Sequence, residues 1–461
     1  MSLVNQPRKE PEREAAEVLR ELTNRGFSAY MVGGCVRDKL LKREFCDIDI
    51  ATSALPEQVR AVFAANPAVE IIPTGEKHGT LTVRFPLSGN SFEVTTYRLD
   101  GEYSDSRRPE SVEFVADIAA DLSRRDFTVN AIAYDVFSDE YIDPFGGIAD
   151  IQRKIIRAVG NPAERFTEDA LRIMRALRFS AVLGFEIEAE TRESAISLVP
   201  KIRNVSSERI SGEFVKTLTA EFADDALISE LGLRIVEQIM PEFRTIINVP
   251  HENKWHCCDI YEHTLKVVSG CSGRTLRLAA FFHDLGKGLT KTRGSDGYSH
   301  YYGHQEYSEL LTRKIMTRLR FSTREIDLVC TLVLYHDAVD GRLSHTSAFT
   351  KRLLNKISPE TFELLLDLSE ADVRAHVPAL REHKGKILAQ IREDLRYITA
   401  NKLPYSVRDL ALSGSDIMRE FSLPPGPLIG ELLEYCVEAV IDGTANEKAE
   451  LLTVIRSKLA E

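Results

Sequence analysis

The feature that most constrains this chain is a change of texture at Gly146-Gly147. Ahead of that pair lie short segments in which apolar and polar residues alternate: CDIDIAT from Cys46, HGTLTVRF from His78, FEVTTYR from Phe92 and NAIAYD from Asn130. Side chains of an extended strand point to opposite faces in turn, so this alternation predicts strands with one buried face. Residues 10–24 predict a helix through Ala15, Val18, Leu19 and Leu22, and GFSAYMVGGCVRDKLL predicts a strand, a glycine turn and a helix start. Beyond the glycine pair, from Ile148 to about Ala400, the apolar spacing is helical and is punctuated by Pro162, Pro200, Pro241 and Pro250. The last segment, with SLPPGPLIG inside it, also reads as mostly helical. The fold class is therefore α/β plus all-α, a head with a mixed sheet followed by a long helical body. A chain of 461 residues suggests about three domains, and we place boundaries at 1–147, 148–250, 251–380 and 381–461.

The N-terminus, MSLVNQPRKEPEREAAEV, is too charged for a secretory h-region. No run of about 18 apolar residues predicts a membrane span. Both readings point to a cytoplasmic protein. The seven cysteines are odd in number and form no CxxC pair, which predicts reduced, mostly buried thiols. The formal net charge of −11 opposes binding of a polyanion by the molecule as a whole. Residues 151–220 nevertheless carry a local excess of Lys and Arg, and an acidic protein can present one basic stripe.

The chemistry concentrates first at Asp47-Ile48-Asp49-Ile50. On a strand, Asp47 and Asp49 share a face while Ile48 and Ile50 enter the core. Neighbouring carboxylates repel unless a cation lies between them, and Mg²⁺ held by one or two carboxylates plus substrate phosphates meets that need. Glu93, in FEVTTYR, is a candidate third carboxylate. Upstream, Gly33-Gly34 offers bare backbone N–H groups to a phosphate, and Arg37 adds positive charge.

The string GG-x-VRD followed by DIDI resembles the polymerase-β-like nucleotidyltransferases, and implies two-metal phosphoryl transfer with catalytic Asp47, Asp49 and Glu93. The resemblance narrows at SRRDFTVNA, residues 123–131, which is similar to the RRDFTxNA motif of class II tRNA nucleotidyltransferases and bacterial poly(A) polymerases. It implies that Arg124, Arg125, Asp126 and Asn130 hold the ribose and triphosphate. A guanidinium suits phosphate and a carboxylate suits sugar hydroxyls. The segment RFTEDALRIMRALRF, residues 165–179, resembles the family's EDxxR region. Thr167 is expected to cap its helix, Asp169 and Arg172 to read the base edge, and Arg175 and Arg178 to line the same face. DPFGGIAD, from Asp143, resembles the family's head–neck hinge, and Arg209-Ile-Ser-Gly-Glu213-Phe its last neck motif. TYRLDGEYSDSRRP, from Thr96, resembles the loop that complete CCA-adding and A-adding enzymes carry and CC-only adders lack.

A second constellation lies in the body: His263, the pair His283-Asp284 in HDLGKG, His304, His336 and Asp372. It resembles the HD superfamily of metal-dependent phosphohydrolases. That likeness implies a site for a divalent transition metal (Mn, Ni, Co or Fe), with His304 and His336 as the extra histidines of two-metal versions. The segment from Ser413 to Gly430 resembles the family tail that contacts the tRNA elbow. Together the resemblances imply a polymerase-β-like head, helical neck, HD-type body and tail. They imply CCA addition to tRNA from CTP and ATP, with Mg²⁺ in the head. The same-class alternatives are an A-adding enzyme and a poly(A) polymerase. An alternative of another class is an HD phosphohydrolase with an RNA-gripping head.

Overall fold

The computed structural model describes residues 10–45, 47–101, 112–252, 258–339 and 346–460. Most of the loop from Thr96, as well as Cys46 and Cys257, lie outside them. The described chain forms two compact units, Met1–Ile239 and Met240–Glu461; the boundaries expected at 147 and 380 fall inside them.

The first unit opens with α1 (Glu10–Asn24), β1 (Ala29–Val32), α2 (Gly34–Leu40), β2 (Asp49–Thr52), α3 (Pro56–Phe63), β3 (Glu70–Gly75), β4 (Thr80–Arg84) and β5 (Ser91–Thr96). A small hairpin of β6 (Arg98–Asp100) and β7 (Val112–Phe114) follows, then α4 (Ile118–Ser123), β8 (Ala133–Asp135) and β9 (Glu140–Ile142). In α1 the expected stripe is the buried one: Ala15, Val18, Leu19 and Leu22 are wholly inaccessible. Truncating such a leucine to alanine typically costs about 2–5 kcal/mol.

Seven described strands form one mixed sheet in the order β3-β4-β5-β2-β1-β8-β9. Only the β2–β5 pairing in it is parallel, and its register sets Asp49 opposite Glu93. Ile48 and Ile50 are buried while Asp47 and Asp49 are exposed, as the alternation predicts. One expectation is corrected here: β2 begins at Asp49, so Asp47 precedes the strand rather than lying in it.

The helices that follow are α5 (Gly147–Arg153), α6 (Pro162–Glu168), α7 (Leu171–Leu183), α8 (Ala189–Leu198), α9 (Ser207–Leu218), α10 (Ala223–Ile228) and α11 (Glu230–Ile239), with β10 (Ile155–Ile156) and β11 (Glu186–Ile187) as a two-stranded clip. Thr167 does not cap a helix. It lies in the last turn of α6, whose N-cap is Asn161. The backbone is extended at Asp169, and its Oδ1 accepts from the Leu171 N–H at 3.0 Å, as an N-capping aspartate does. The long helix predicted from 167 is thus two helices broken at Asp169-Ala170.

The second unit is helical: α12 (Ile260–Gly270), α13 (Arg274–Phe282), α14 (Lys287–Thr290), the short strands β12 (Thr292–Arg293) and β13 (Ser299–His300), α15 (His304–Arg318), α16 (Thr323–Tyr335), α17 (Ser347–Leu354), α18 (Pro359–Ala375), α19 (Pro378–Ala400), α20 (Gly414–Phe421), α21 (Pro427–Ile441) and α22 (Lys448–Ala460). A capping box fixes the start of α12. Asp259 accepts from the Glu262 N–H at 2.7 Å, and Glu262 accepts from the Asp259 N–H. Phe243 stacks on Phe281 at 4.5 Å, with Tyr261 and Phe282 around them, so the end of α13 is anchored in apolar packing. The last three helices enclose a small core of their own, with Ile417, Cys436, Leu451 and Ile455 fully buried. Among the described residues no helix is long and apolar enough to cross a membrane.

Candidate active site of the head and a second cluster in the body

A cavity of about 700 Å³ in the first unit is lined by Gly33, Gly34, Arg37, Asp49, Glu93, Arg124, Arg125, Asp126, Asn130, Asp169, Arg172, Arg175 and Arg178. Of the residues singled out for the head, Asp47 alone is not in its lining. Eight arginines and four carboxylates line this cavity, so a protein with an overall charge of −11 presents a concave basic surface.

Strand register builds one wall. Asp49 and Glu93 stand side by side on β2 and β5, with Asp47 two residues before the edge. Although Asp49 is solvent-accessible, the protein atoms crowded around it desolvate its carboxyl and push it up, and Glu93 and Asp47 add to that push against the pull of Arg125. Such crowding of like charge is what a divalent cation relieves, so these residues fit a metal. Gly33 sits between this wall and the arginines, at φ 79° and ψ −137°. A Cβ there would stand 2.9 Å from Arg125 Nη1 and 3.5 Å from Asp49 Oδ2. Glycine therefore serves both the backbone angle and the close approach.

The SRRDFTVN segment forms the floor. Asp126 is buried; its Oδ1 accepts from the Phe127 N–H and from Asn130, and its Oδ2 accepts from Arg175 Nε at 2.7 Å. Burial alone would raise this carboxyl, but Arg175 and Asn130 bring it down to about 2. Asn130 in turn accepts from Arg37 Nη1 at 2.7 Å, and Arg37 also grips Asp38. Arg37, expected to face phosphate, is thus mainly a buried brace for the floor. Arg124 is chelated by Asp121, and Arg178 pairs with Glu213 at 2.7 Å while lying 4.2 Å over the ring of Phe179. Arg125 is held less closely, 3.5 Å from Asp121.

At the helix break, Asp169 and Arg172 both line the cavity but are held by different partners. Arg172 donates to Glu168 at 2.6 Å and to the carbonyls of Arg165 and Arg124. Asp169 Oδ2 accepts from Arg209 at 2.8 Å. Sequence reasoning did not foresee this role for Arg209, nor the presence of Thr74, His78, Thr80 and Arg98 in the lining.

In the second unit all six residues singled out converge. His263 on α12 is 3.0 Å from Asp372 on α18 and 3.7 Å from Asp284. His283 Nε2 is 3.2 Å from Asp284 Oδ2. Asp284 Oδ1 faces the other way, 3.4 Å from His304 and 3.7 Å from His336. His283, His304 and His336 each place Nδ1 against a backbone carbonyl, of Ala280, Tyr301 and Val333. If those Nδ1 atoms carry the ring proton, each Nε2 turns a lone pair inward. His304 Nε2 and His336 Nε2 then meet at 3.1 Å, a repulsive arrangement that a proton or cation between them would relieve. The chemistry of this donor set fits a metal, and three overlapping groups can bring three ligand atoms together. Four neighbours went unforeseen: His376 and Asp337 beside known members, His251, and Lys287, whose Nζ donates to Asp284 at 2.7 Å. Burial pulls His263 down to about 4 and, with Lys287, His251 to about 2.

Comparison with known proteins bears on both sites. Residues 29–157 match the poly A polymerase head domain. Residues 184–246 match the probable RNA- and SrmB-binding site of polymerase A, and residues 304–455 match tRNA nucleotidyltransferase domain 2. A CCA-adding enzyme of Leuconostoc mesenteroides is 32% identical over 431 residues, 93% of this chain and 92% of that protein. One of Geobacillus sp. strain WCH70 is 34% identical over 444 residues, 96% of each chain.

The chain belongs to the CCA-adding enzyme family.

The crystal structure of the Bacillus stearothermophilus CCA-adding enzyme in complex with CTP superposes on this family member with a TM-score of 0.72 at 30% identity, covering 98% of this chain and 99% of the other. A Thermotoga maritima CCA-adding enzyme complexed with tRNA shares the fold at 19% identity and a TM-score of 0.60, covering 98% and 97%. As a member of this family the chain is a nucleotidyltransferase. Of its second cluster, His304, His336 and Asp372 lie within the domain 2 match, whereas His263, His283 and Asp284 precede it.

Proposed function

We propose that this chain adds CCA to the 3′ end of tRNA from CTP and ATP in the cavity of its first unit. One arrangement carries the reading: the carboxylates of Asp49 and Glu93 share a cavity with eight arginines and with the Asp169–Arg172 pair. Asp47, Asp49 and Glu93 would hold Mg²⁺, which when bound neutralises the triphosphate and lowers the pKa of the attacking hydroxyl. Arg125, Arg124 and Arg175 bind and orient the triphosphate, and Asp126 with Asn130 offers acceptors and donors to the ribose. Asp169 accepts from the exocyclic amine of cytosine or adenine, and Arg172 donates to the adjacent ring nitrogen. Both bases share that donor–acceptor order, so one protein edge serves CTP and ATP alike. In this reading 1–147 is the head, 148–250 the neck and 381–461 a tRNA-binding tail, and the protein works in the cytoplasm.

The test is purified protein with a tRNA transcript lacking its terminal CCA, supplied with CTP and ATP singly and together. CC from CTP and a single A thereafter supports the reading. A only on a transcript already ending in CC indicates an A-adding enzyme, and long A tails a poly(A) polymerase. No incorporation overturns the reading.

The buried cluster of His263, His283, Asp284 and Asp372 favours a second activity within 251–380, an HD-type metal phosphohydrolase acting on phosphate at RNA ends. His304 and His336 face the other oxygen of Asp284 and would hold a second divalent transition ion (Mn, Ni, Co or Fe). Release of phosphate from 2′-, 3′- or cyclic-phosphate RNA ends tests this. No turnover with any of these metals removes it.

A further inference from the structure

The short strands β12 and β13 form a hairpin beside the body cluster. Tyr301, Tyr302 and Gly303 join it to α15, whose first residue is His304. The two tyrosines leave this segment on opposite sides. Tyr301 turns inward: its hydroxyl donates to the His251 carbonyl at 2.8 Å, and Lys287 Nζ lies 5.5 Å from its ring centroid. Tyr302 turns outward and is 72% exposed. Its ring nevertheless has a fixed neighbour. It lies parallel to the His300 imidazole, with 2° between the planes and 5.5 Å between the centroids. His300 is held in turn. Its Nε2 is 3.1 Å from both carboxylate oxygens of Asp296. Its ring also lies against the hairpin backbone, so close that a Cβ on Gly294 would stand 2.5 Å from Nε2. An exposed aromatic pair whose orientation is already set by the fold loses little freedom when a third ring stacks on it.

We infer that the Tyr302–His300 pair is a nucleobase-stacking subsite of the body cluster, receiving the base of a terminal RNA nucleotide whose phosphate enters the cluster. This rests on the reading of that cluster as a phosphohydrolase. Position, charge and area select this occupant. Tyr302 and His304 are two residues apart, a span of at most about 7 Å, which is the scale separating a base from the phosphate of its own nucleotide. Inward of the segment lie the cluster and the Lys287 ammonium, which donates to Asp284 at 2.7 Å and suits a phosphate. Outward lie two flat rings with polar edges, which suit any base through its π-face. The ring pair offers only about a few hundred Å², less than the roughly 800 Å² per partner of a stable protein interface. A nucleotide laid over this segment therefore meets stacking at one end and phosphate chemistry at the other.

Two measurements on the full-length wild type, Tyr302→Ala and Tyr302→Phe test this. The first is binding of 2-aminopurine riboside 2′-phosphate to the metal-free protein, followed by the fluorescence of the base, which stacking quenches. Tyr302→Ala should remove a quenched component or weaken it by about fivefold to a hundredfold, the range for one base on one aromatic ring; the head cavity is the same in all three proteins. The second is phosphate release by protein loaded with Mn, Ni, Co or Fe, with kcat and KM measured for adenosine 2′-phosphate and for glycerol 2-phosphate, which has no base. Tyr302→Ala should raise KM for the nucleotide by the same factor and narrow its advantage over glycerol 2-phosphate. Tyr302→Phe keeps the ring and should behave as wild type in both. Unchanged quenching and KM in Tyr302→Ala overturn the inference and leave the hydrolase reading in place. A loss in Tyr302→Phe equal to that in Tyr302→Ala assigns the effect to the hydroxyl and overturns stacking. No phosphate release by wild type from either compound removes the hydrolase reading, and the inference falls with it.

Discussion

Asp126 offers the most quantitative check on the head site. Its carboxylate is buried and held by Arg175, Asn130 and the Phe127 N–H. These lower it from an ordinary value of 3.8 to about 2. At about 1.4 kcal/mol per pH unit, that difference stabilises the folded unit by about 2–3 kcal/mol at neutral pH. Because the folded value lies below the unfolded one, the unfolded chain takes up the proton first. The stabilisation is therefore complete above about pH 4–5 and drains away as pH falls toward 2. Asp126→Asn keeps the shape and removes the charge. It should lower the melting temperature of the first unit by about 5–10 °C at pH 7, at about 2–4 °C per kcal/mol for a unit of this size. Thermal unfolding of wild type and variant from pH 7 to pH 3 is the assay, and the gap between them should shrink by about half by pH 3. Equal stability at pH 7, or a gap that does not close on acidification, would show that the Arg175 pairing contributes no net electrostatic stabilisation.

Three other outcomes follow from the two sites. Asp49→Ala and Asp47→Ala should each lower nucleotide incorporation by about a hundredfold or more, the scale of losing a preorganised charge at a reacting phosphate; near-normal rates would remove the cation role. Gly33→Ala should lower the melting temperature by several degrees, since a non-glycine residue at that φ and ψ costs about 1–3 kcal/mol. It should depress incorporation further by displacing Arg125, and a fully active, fully stable variant would contradict the packing described. His283→Ala should lower tightly bound transition metal, measured by elemental analysis, while CCA addition by the intact chain persists; unchanged metal content would exclude His283 as a ligand.

Much of this was written in local pattern. Alternation around Ile48 and Ile50 set which face the aspartates occupy, and the pairing of Asp49 with Glu93 only required two short strands to lie side by side. The six residues of the body cluster could be named because their order along the chain resembles the HD superfamily's pattern of a His, a His-Asp pair and a distant Asp, with two extra histidines. What local pattern could not supply was anything that depends on the packing of distant elements. The break between α6 and α7 is one example: an unbroken run of good helix formers conceals it, and the Asp169 side chain stabilises it by capping Leu171. Arg209 is another, since it meets Asp169 only because α9 lies along α7. Arg37 lines the cavity as expected, but its brace to Asn130, distant in sequence, was not foreseen. His376 and Asp337 join the cluster through the residues that follow α18 and α16, beside Asp372 and His304.

The glycine pair at 146 and 147 was expected to act as a hinge, and its surroundings give it a different mechanical character. Gly146 adopts the left-handed conformation, whereas a Cβ on Gly147 would collide with the Thr128 carbonyl. Asp143 accepts from the N–H groups of both Gly147 and Ile148, and Thr128 donates to Asp150 at 2.7 Å. Helix α5 is therefore riveted to the same short stretch that carries Asp126 and Asn130. A push on α5 would therefore be felt at the Asp126–Asn130 floor with little slack between them.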